Sequence, residues 1–259
     1  MTGVQTCALP IYFGDVEIKY NETYIESSVL WEKHCHSRFE LIAVLEGDVS
    51  VMLEGVTYRL TSGQCIIVPP LAYHSITINA VGTYRRVTAL FPVDTVPDVV
   101  QKDFAAGVAA VFYSDCIERL GSVVQKDSPD LYAPLAKSLM VELFYSMLDA
   151  KRNNPTPDKD DFLERATRYI DAHLGEKISL DDLARHSSRS PSSFSHLFEE
   201  KMGISPKQYI LRKKLATARK LIAEGTPPTT AAVQVGYENY SNFYRMYLKH
   251  YGTAPAKRK

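Results

Sequence analysis

The order of apolar and polar positions changes character along the chain. Across residues 12–91 it is short and strand-like: residues 40–45 (ELIAVL), 49–53 (VSVML), 56–60 and 65–68 are apolar or alternating runs rich in Val, Ile and Tyr. Gly47-Asp48, Glu54-Gly55 and Ser62-Gly63 punctuate them as turns. Many short strands at close spacing predict an all-β barrel or sandwich. After Pro97 the period lengthens. Leu135, Leu139, Leu143 and Met147 recur every four residues, with Met140, Phe144 and Leu148 beside them, which predicts a helix with a broad apolar stripe. Residues 108–124 also read as helix. Residues 151–161 (KRNNPTPDKDD) are polar, contain two prolines and have almost nothing to bury, so they read as an interdomain linker. Everything beyond them is helical in period.

Charge sharpens this division. The chain of 259 residues has no formal net charge, yet residues 1–161 hold 13 Lys+Arg against 21 Asp+Glu, and residues 162–259 hold 17 against 9. An acidic half of −8 joined to a basic half of +8 suggests that the second faces a polyanion. The four cysteines (Cys7, Cys35, Cys65, Cys116) are scattered without a paired motif, which fits a reducing cytoplasm, and Cys35 and Cys65 read as packed strand residues. No window approaches the 18 to 20 or so apolar residues of a membrane span, so no membrane partner is expected. Residues 1–11 (MTGVQTCALPI) lack the basic start of a signal peptide and join poorly to the strand-like run that follows. They are expected to be a leader foreign to the native gene.

The basic half contains an internal repeat. Phe194, Phe198, Gly203 and Pro206 recur as Phe243, Tyr247, Gly252 and Pro255, and Ser192 recurs as Ser241, all at an offset of 49. Ala184 recurs as Ala232 at 48, so the second copy has a turn one residue longer. In the first copy Ser179 and Asp182 form a capping-box-like start, with Leu180, Leu183 and Ala184 facing inward. After a short turn, Ser190-Pro191 supplies an N-cap and a proline at the first helical position, and the helix stops at Gly203. Phe194, Leu197 and Phe198 point inward and leave Ser192, Ser195 and His196 outside. The second copy runs through residues 231–235, a turn at Gly236 and a helix over 239–250. There Phe243 and Tyr247 point inward, and Ser241, Asn242, Tyr244 and Arg245 lie outside. A short helix, a tight turn and a second helix with a polar front describe a helix-turn-helix, twice over. The connecting helix, 206–224, spans roughly 30 Å, close to the ~34 Å turn of B-DNA, so two recognition helices can address successive major grooves. Lys207, Arg212, Lys213, Lys214, Arg219 and Lys220 along it are candidates for phosphate contact, and Arg245 is the leading base-reading candidate, followed by His196 and Ser195.

Several motifs then carry a specific resemblance. Leu183-Ala184, Ser193-Phe194-Ser195-His196-Leu197-Phe198, Gly203-Ile204-Ser205-Pro206, Tyr209, Ala218, Leu221, Val235-Gly236-Tyr237, Phe243-Tyr244-Arg245, Tyr251-Gly252 and Pro255 make residues 162–259 resemble the DNA-binding domain of the AraC/XylS family. The resemblance implies seven helices carrying two helix-turn-helix units, and DNA-facing positions at Ser192, Ser195, His196, Ser241, Asn242 and Arg245. Pro228-Thr229 depart from the usual isoleucine and alanine, and Lys214 from the usual arginine.

In the acidic half, His34, His36, Glu40 and Gly47 are spaced H-x-H-x3-E-x6-G, and Gly63, Pro69 and His74 are spaced G-x5-P-x4-H. Over residues 15–95 this resembles the two cupin motifs, with Leu71 in place of a customary glycine. In enzymatic cupins the equivalents of His34, His36, Glu40 and His74 bind a divalent metal such as Fe, Mn, Zn or Ni. In AraC-like regulators such residues line an effector pocket, which here implies His36, Glu40, Tyr73 and His74.

The fold class expected is therefore α+β and multidomain. A cupin-like β-barrel (12–96) and a helical dimerisation segment (97–150) lead through the linker (151–161) to an all-α domain with two helix-turn-helix units (162–259). The function implied is a cytoplasmic, ligand-responsive transcription regulator, expected as an activator, and not an enzyme. Its partners would be double-stranded DNA, a small-molecule effector of which sugars and their derivatives are a common class, a second copy of the chain, and RNA polymerase. The alternative is a metal-dependent cupin enzyme with an appended DNA-binding domain, separable by metal analysis of the quartet His34, His36, Glu40 and His74.

Overall fold

The computed structural model describes residues 5–7, 9–31, 33–98, 111–153 and 161–256. The chain divides into two compact units, one built on the strands and the first two helices, the other on the remaining helices. In chain order the strands are β1 (Gln5–Cys7), β2 (Ile11–Phe13), β3 (Val16–Ile25), β4 (Val29–Leu30), β5 (Phe39–Glu46), β6 (Asp48–Leu53), β7 (Val56–Thr61), β8 (Gln64–Val68), β9 (His74–Ile78), β10 (Gly82–Phe91) and β11 (Phe112–Tyr113). The helices are α1 (Cys116–Val124), α2 (Pro129–Asn153), α3 (Asp161–Ala172), α4 (Leu180–His186), α5 (Pro191–Met202), α6 (Pro206–Ala223), α7 (Pro228–Gln234) and α8 (Tyr240–Tyr251). The β-rich first unit and helical second unit are those expected from the sequence.

Two antiparallel sheets face each other in the first unit. The larger runs β1-β3-β10-β5-β8-β11 with β2 on β3, and the smaller runs β4-β9-β6-β7. Side chains alternate across a strand, so each face of the large sheet has its own task. Leu41, Ala43, Cys65, Ile67, Val87, Ala89 and Phe91 form one core with Leu120, Val124, Leu139, Leu143, Phe144 and Met147 of α1 and α2. Phe91 sits 5.5 Å from Phe39 and 5.1 Å from Phe144, ring centre to ring centre. The alternate residues, Glu40, Ile42, Val44, Tyr84 and Arg86, face the small sheet, whose buried face carries Val49, Val51, Leu53, His74, Ile76 and Ile78. The β6–β7 connection is a two-residue hairpin with positive φ at both Glu54 and Gly55, the conformation that follows strand twist. At Gly47 a Cβ would lie 2.8 Å from the Tyr84 ring, which is why the motif glycine is needed there.

Within residues 1–11, β1 pairs with β3, and Ile11 is fully buried in the core between the large sheet and the helices, because β3 offers a hydrogen-bonding edge. Residues 1–4 and 8 lie outside the described residues. Two expectations need correcting. The helix expected over 108–124 begins only at Cys116; Phe112–Tyr113 instead pair with β8, burying Phe112, and 99–110 are not described. The linker's residues 154–160 likewise lie outside the description, while 151–153 continue α2. Along α2 the buried stripe is Ala136, Leu139, Met140, Leu143, Phe144, Met147 and Leu148, and Leu135 is left exposed.

The helical unit is assembled from capped segments. Ser179 accepts from the Asp182 N–H and Asp182 reaches back to the Ser179 N–H, closing the capping box on α4. Ser190 caps α5 ahead of Pro191, and Ser205 with Gln208 forms a second capping box on α6. Asn239 caps α8. Each such cap contributes about 1 kcal/mol. Two aromatic clusters hold the unit together: Phe162, Phe194, Phe198 and Tyr209 in the first half, Tyr237, Phe243, Tyr247 and Tyr251 in the second. The described residues show six helices here, where the family resemblance implied seven. Leu180, expected inward, is 40% exposed, since α4 already buries Leu183 and Ala184 on its inner side.

Candidate DNA interface and effector site

The duplication is three-dimensional. In the first unit the Arg189 N–H donates to the Ala184 carbonyl (2.9 Å) and Ser188 N–H to Arg185 (3.1 Å); in the second, Tyr237 donates to Ala232 (2.9 Å) and Gly236 to Val233 (2.9 Å). Ser188 and Gly236 both have positive φ, 56° and 78°, so the two turns bend alike. The longer second turn takes up its extra residue after this bend. Phe194–Phe198 and Phe243–Tyr247 place their ring centres at the same 5.5 Å, and Gly203 and Gly252 end α5 and α8 with φ of 67° and 68°.

With their inner faces committed to aromatic packing, α5 and α8 present polar outer faces. Ser192 and His196 are exposed on α5 and Ser195 is half-buried; Ser241, Asn242 and Arg245 are exposed on α8. His196 lies 4.0 Å from Glu200. Leu197 is only half-buried, against the expectation that it points fully inward. Tyr240 and Tyr244 also stand on the outer surface of α8, ring centres 6.3 Å apart. Tyr240 escapes a reading by repeats because its counterpart in the first copy is Pro191.

The candidate phosphate contacts on α6 separate. Lys207 and Arg219 are exposed, with the Arg219 guanidinium 4.5 Å above the Tyr251 ring, and Lys220 lies 3.8 Å from Glu224. Lys213 is corrected. It is 4% exposed and its ammonium lies 2.8 Å from Asp171, because it falls on the inward face with Tyr209 and Ala216. A buried, paired ammonium cannot serve a phosphate. Lys214 is half-buried and donates to the Glu176 carbonyl at 3.0 Å.

In the barrel the sequence-selected residues come together. His34, His36, Glu40 and His74 offer ligand atoms that all lie within 4.8 Å of one another. His74 is 1% exposed, with Nδ1 2.9 Å from the Ala72 carbonyl and Nε2 3.1 Å from Glu40 Oε2. A neutral imidazole has one N–H for these two oxygen acceptors, and its tautomer sets which of them receives it. Three imidazoles and a carboxylate fit a divalent first-row metal. Tyr73 is fully buried beside His74. Leu71 adopts φ of +64°, which explains why the second motif customarily has glycine there. Cys65 and Cys116 are buried, and burial pushes both thiols above their ordinary pKa; burial also pushes Cys35 to about 11, so none is poised as a thiolate at neutral pH.

Comparison with known proteins places these features. Residues 183–258 match the helix-turn-helix domain family and residues 20–102 the AraC-like ligand-binding domain family. The probable transcriptional regulator LumQ of Photobacterium leiognathi is 39% identical over 34% of this chain and 36% of its own. The HTH-type transcriptional regulator YobQ of Bacillus subtilis is 22% identical over 87% of this chain and 88% of its own. Among solved structures, apo ToxT K231A from Vibrio cholerae covers 92% of this chain and 95% of its own, with 13% identity and a TM-score of 0.44. The match to LumQ spans little more than a third of that protein, and a match to the regulatory protein PocR of Salmonella typhimurium spans 46%. No helix among the described residues is long and apolar enough to cross a membrane. One chain thus joins an AraC-like ligand-binding domain to an AraC-type helix-turn-helix domain.

Proposed function

We propose that this chain is a ligand-responsive, DNA-binding transcription regulator and not an enzyme, acting in the cytoplasm on double-stranded DNA and through it on RNA polymerase. The observation that carries the reading is the folded duplication: two turns with matching bonds and two recognition helices with polar, exposed fronts. In this reading α5 and α8 enter successive major grooves. Ser192, Ser195, His196, Ser241, Asn242 and Arg245 meet the DNA there, and Lys207 and Arg219 supply phosphate affinity. The barrel takes a small molecule at His36, Glu40, Tyr73 and His74. Such a ligand changes DNA occupancy only in so far as it binds the DNA-competent and DNA-incompetent states with different affinity. A homodimer through α2 fits its exposed Leu131, Leu135 and Tyr145. The test is binding of the full chain to the DNA upstream of its own gene across a salt series. Salt-sensitive binding that prefers one segment supports the reading, and binding without preference for any segment counts against it.

A second reading, a metal-dependent cupin enzyme with an appended DNA-binding domain, is favoured by the mutual approach of His34, His36, Glu40 and His74. A metal there would supply Lewis acidity, with these four side chains as its holders. Metal analysis of purified protein decides: stoichiometric metal lost in His74→Ala supports a metal centre, and its absence after metal reconstitution removes the enzyme reading.

A further inference from the structure

The two helix-turn-helix copies share a scaffold but not a front. Their inner rings are matched, Phe194–Phe198 and Phe243–Tyr247 both 5.5 Å apart, and both helices end at a glycine, with φ of 67° and 68°. At the offset of 49, the first copy has Pro191, Ser195 and His196 where the second has Tyr240, Tyr244 and Arg245. The fold of the unit thus needs no aromatic side chain at either tyrosine position. Tyr240 and Tyr244 lie four residues apart at the N-terminal end of α8, hence on one stripe, and Ser241 and Arg245 form the stripe beside it. Each tyrosine is 37% exposed, their ring centres are 6.3 Å apart, and the Tyr240 ring leans on Phe243 at 5.9 Å. Leu248, one turn farther on, is 40% exposed.

Adjacent aromatic rings left in water on a helix front, where the scaffold does not require them, point to a partner that covers them. Charge says which partner. α8 has no acidic residue and exposes Arg245 and Lys249, whereas α5 exposes Glu199 and Glu200. A cationic front suits a polyanion, and in the major groove of DNA the apolar group on the base edges is the C5 methyl of thymine. A methyl can cover a ring without giving up hydration, whereas a phosphate or a base donor would lose its water. Tyrosine brings such a surface with little rotamer freedom to lose. We infer that Tyr240 and Tyr244 read thymine methyl groups. The half-element under α8 is then rich in thymine, while the half-element under α5, faced by Ser192, Ser195 and His196, is chosen by other contacts. This rests on the reading of α8 as a recognition helix in the major groove.

The preferred duplex is first selected by the full chain from a pool with a randomised centre. Each of its thymines is then replaced singly by deoxyuridine, which deletes the methyl and keeps the hydrogen-bonding edge and the phosphates. The expected result, read by fluorescence anisotropy, is a loss of about fourfold in affinity at each of one or two positions, the scale of one buried methyl group. Those positions should lie in the half-element whose recognition Arg245→Ala relaxes. Tyr244→Ser installs the residue with which the first copy folds, and should bind thymine and uracil equally at its own position; Tyr240→Ala should do the same at its own. Tyr244→Phe should keep the discrimination, because the ring and not the hydroxyl makes the contact. Should Tyr244→Ser fail to fold, the uracil scan of wild type and of Tyr240→Ala still decides. Wild-type affinity unchanged by uracil at every position would overturn the inference and leave the stripe to a protein partner. Discrimination that survives intact in both Tyr240→Ala and Tyr244→Ser overturns it too, since another side chain then reads the methyl. Selection that yields no preferred duplex overturns it together with the DNA-binding reading on which it rests.

Discussion

Gly236→Ala tests how tightly the second helix-turn-helix is seated. Gly236 has φ of +78°, and a Cβ there would lie 2.7 Å from the Gly175 carbonyl oxygen, 2.9 Å from its carbon and 2.7 Å from Lys214 Nζ. The lysine can swing away only by giving up its 3.0 Å bond to the Glu176 carbonyl. The Gly175 backbone cannot yield easily, since a Cβ on Gly175 would itself meet the Gln234 carbonyl at 2.9 Å. The left-handed conformation costs an alanine about 1–2 kcal/mol, and overpacking against backbone adds about 1–3 kcal/mol. Gly252→Ala is the matched control: φ is +68° but nothing lies within 4 Å of its Cβ, so only the conformational cost applies. For a domain of this size each kcal/mol lowers the melting temperature by about 4–8 °C. The helical transition followed by far-ultraviolet circular dichroism should fall by about 5–15 °C in Gly252→Ala and by roughly twice that or more in Gly236→Ala. Equal shifts in the two variants would refute the close approach of the two turns.

Arg245→Ala should cost about 1–3 kcal/mol on the preferred DNA and much less on scrambled DNA, read by fluorescence anisotropy; equal losses on both would make Arg245 a phosphate contact. Ser188→Gly should raise stability by about 0.5–1 kcal/mol in urea titrations, because an exposed non-glycine residue at φ of +56° is relieved, and a loss would show that the serine side chain matters to the turn. The Arg59 guanidinium, and after it the Asn79 amide, hold the Asp48 carboxyl below its ordinary pKa. This group's contribution is therefore complete above the unfolded value of about 3.9 and is lost as pH falls through the lower folded value. The melting temperatures of wild type and Asp48→Asn should differ at pH 7 and converge in strong acid, and a gap that persists there contradicts the assignment.

What was legible in the sequence was local or periodic. Ser179, Ser190 and Gly203 announce helix ends through side-chain or backbone chemistry within a few residues, and all three stand where that chemistry put them. His34, His36, Glu40 and His74 were found through motif spacing, and the strand pairing brings them together. The misses were non-local. Lys213 reads as a surface cation until Asp171, far off in sequence, is seen beside it. Phe112–Tyr113 are too short to signal a strand, and exist as one because β8 has an open edge. Tyr84 and Arg86 share a face by alternation, but nothing in the sequence tells which sheet will bring Trp31 to them.

The helix α6 serves both aromatic clusters, burying Tyr209 with Phe198 near its start and Leu215, Ala218 and Ile222 with Phe243 and Tyr247 farther on. It is thus a rigid ruler between the two reading heads. Adding a single residue to it would turn one head about 100° around the helix axis relative to the other. Under the proposed DNA-binding function, the distance between the two half-elements of a target site would accordingly be written into the protein, not left to the DNA. Genuine sites should share one fixed spacing of about one helical turn, roughly 10–10.5 base pairs, and a genome search can discard every candidate that departs from it.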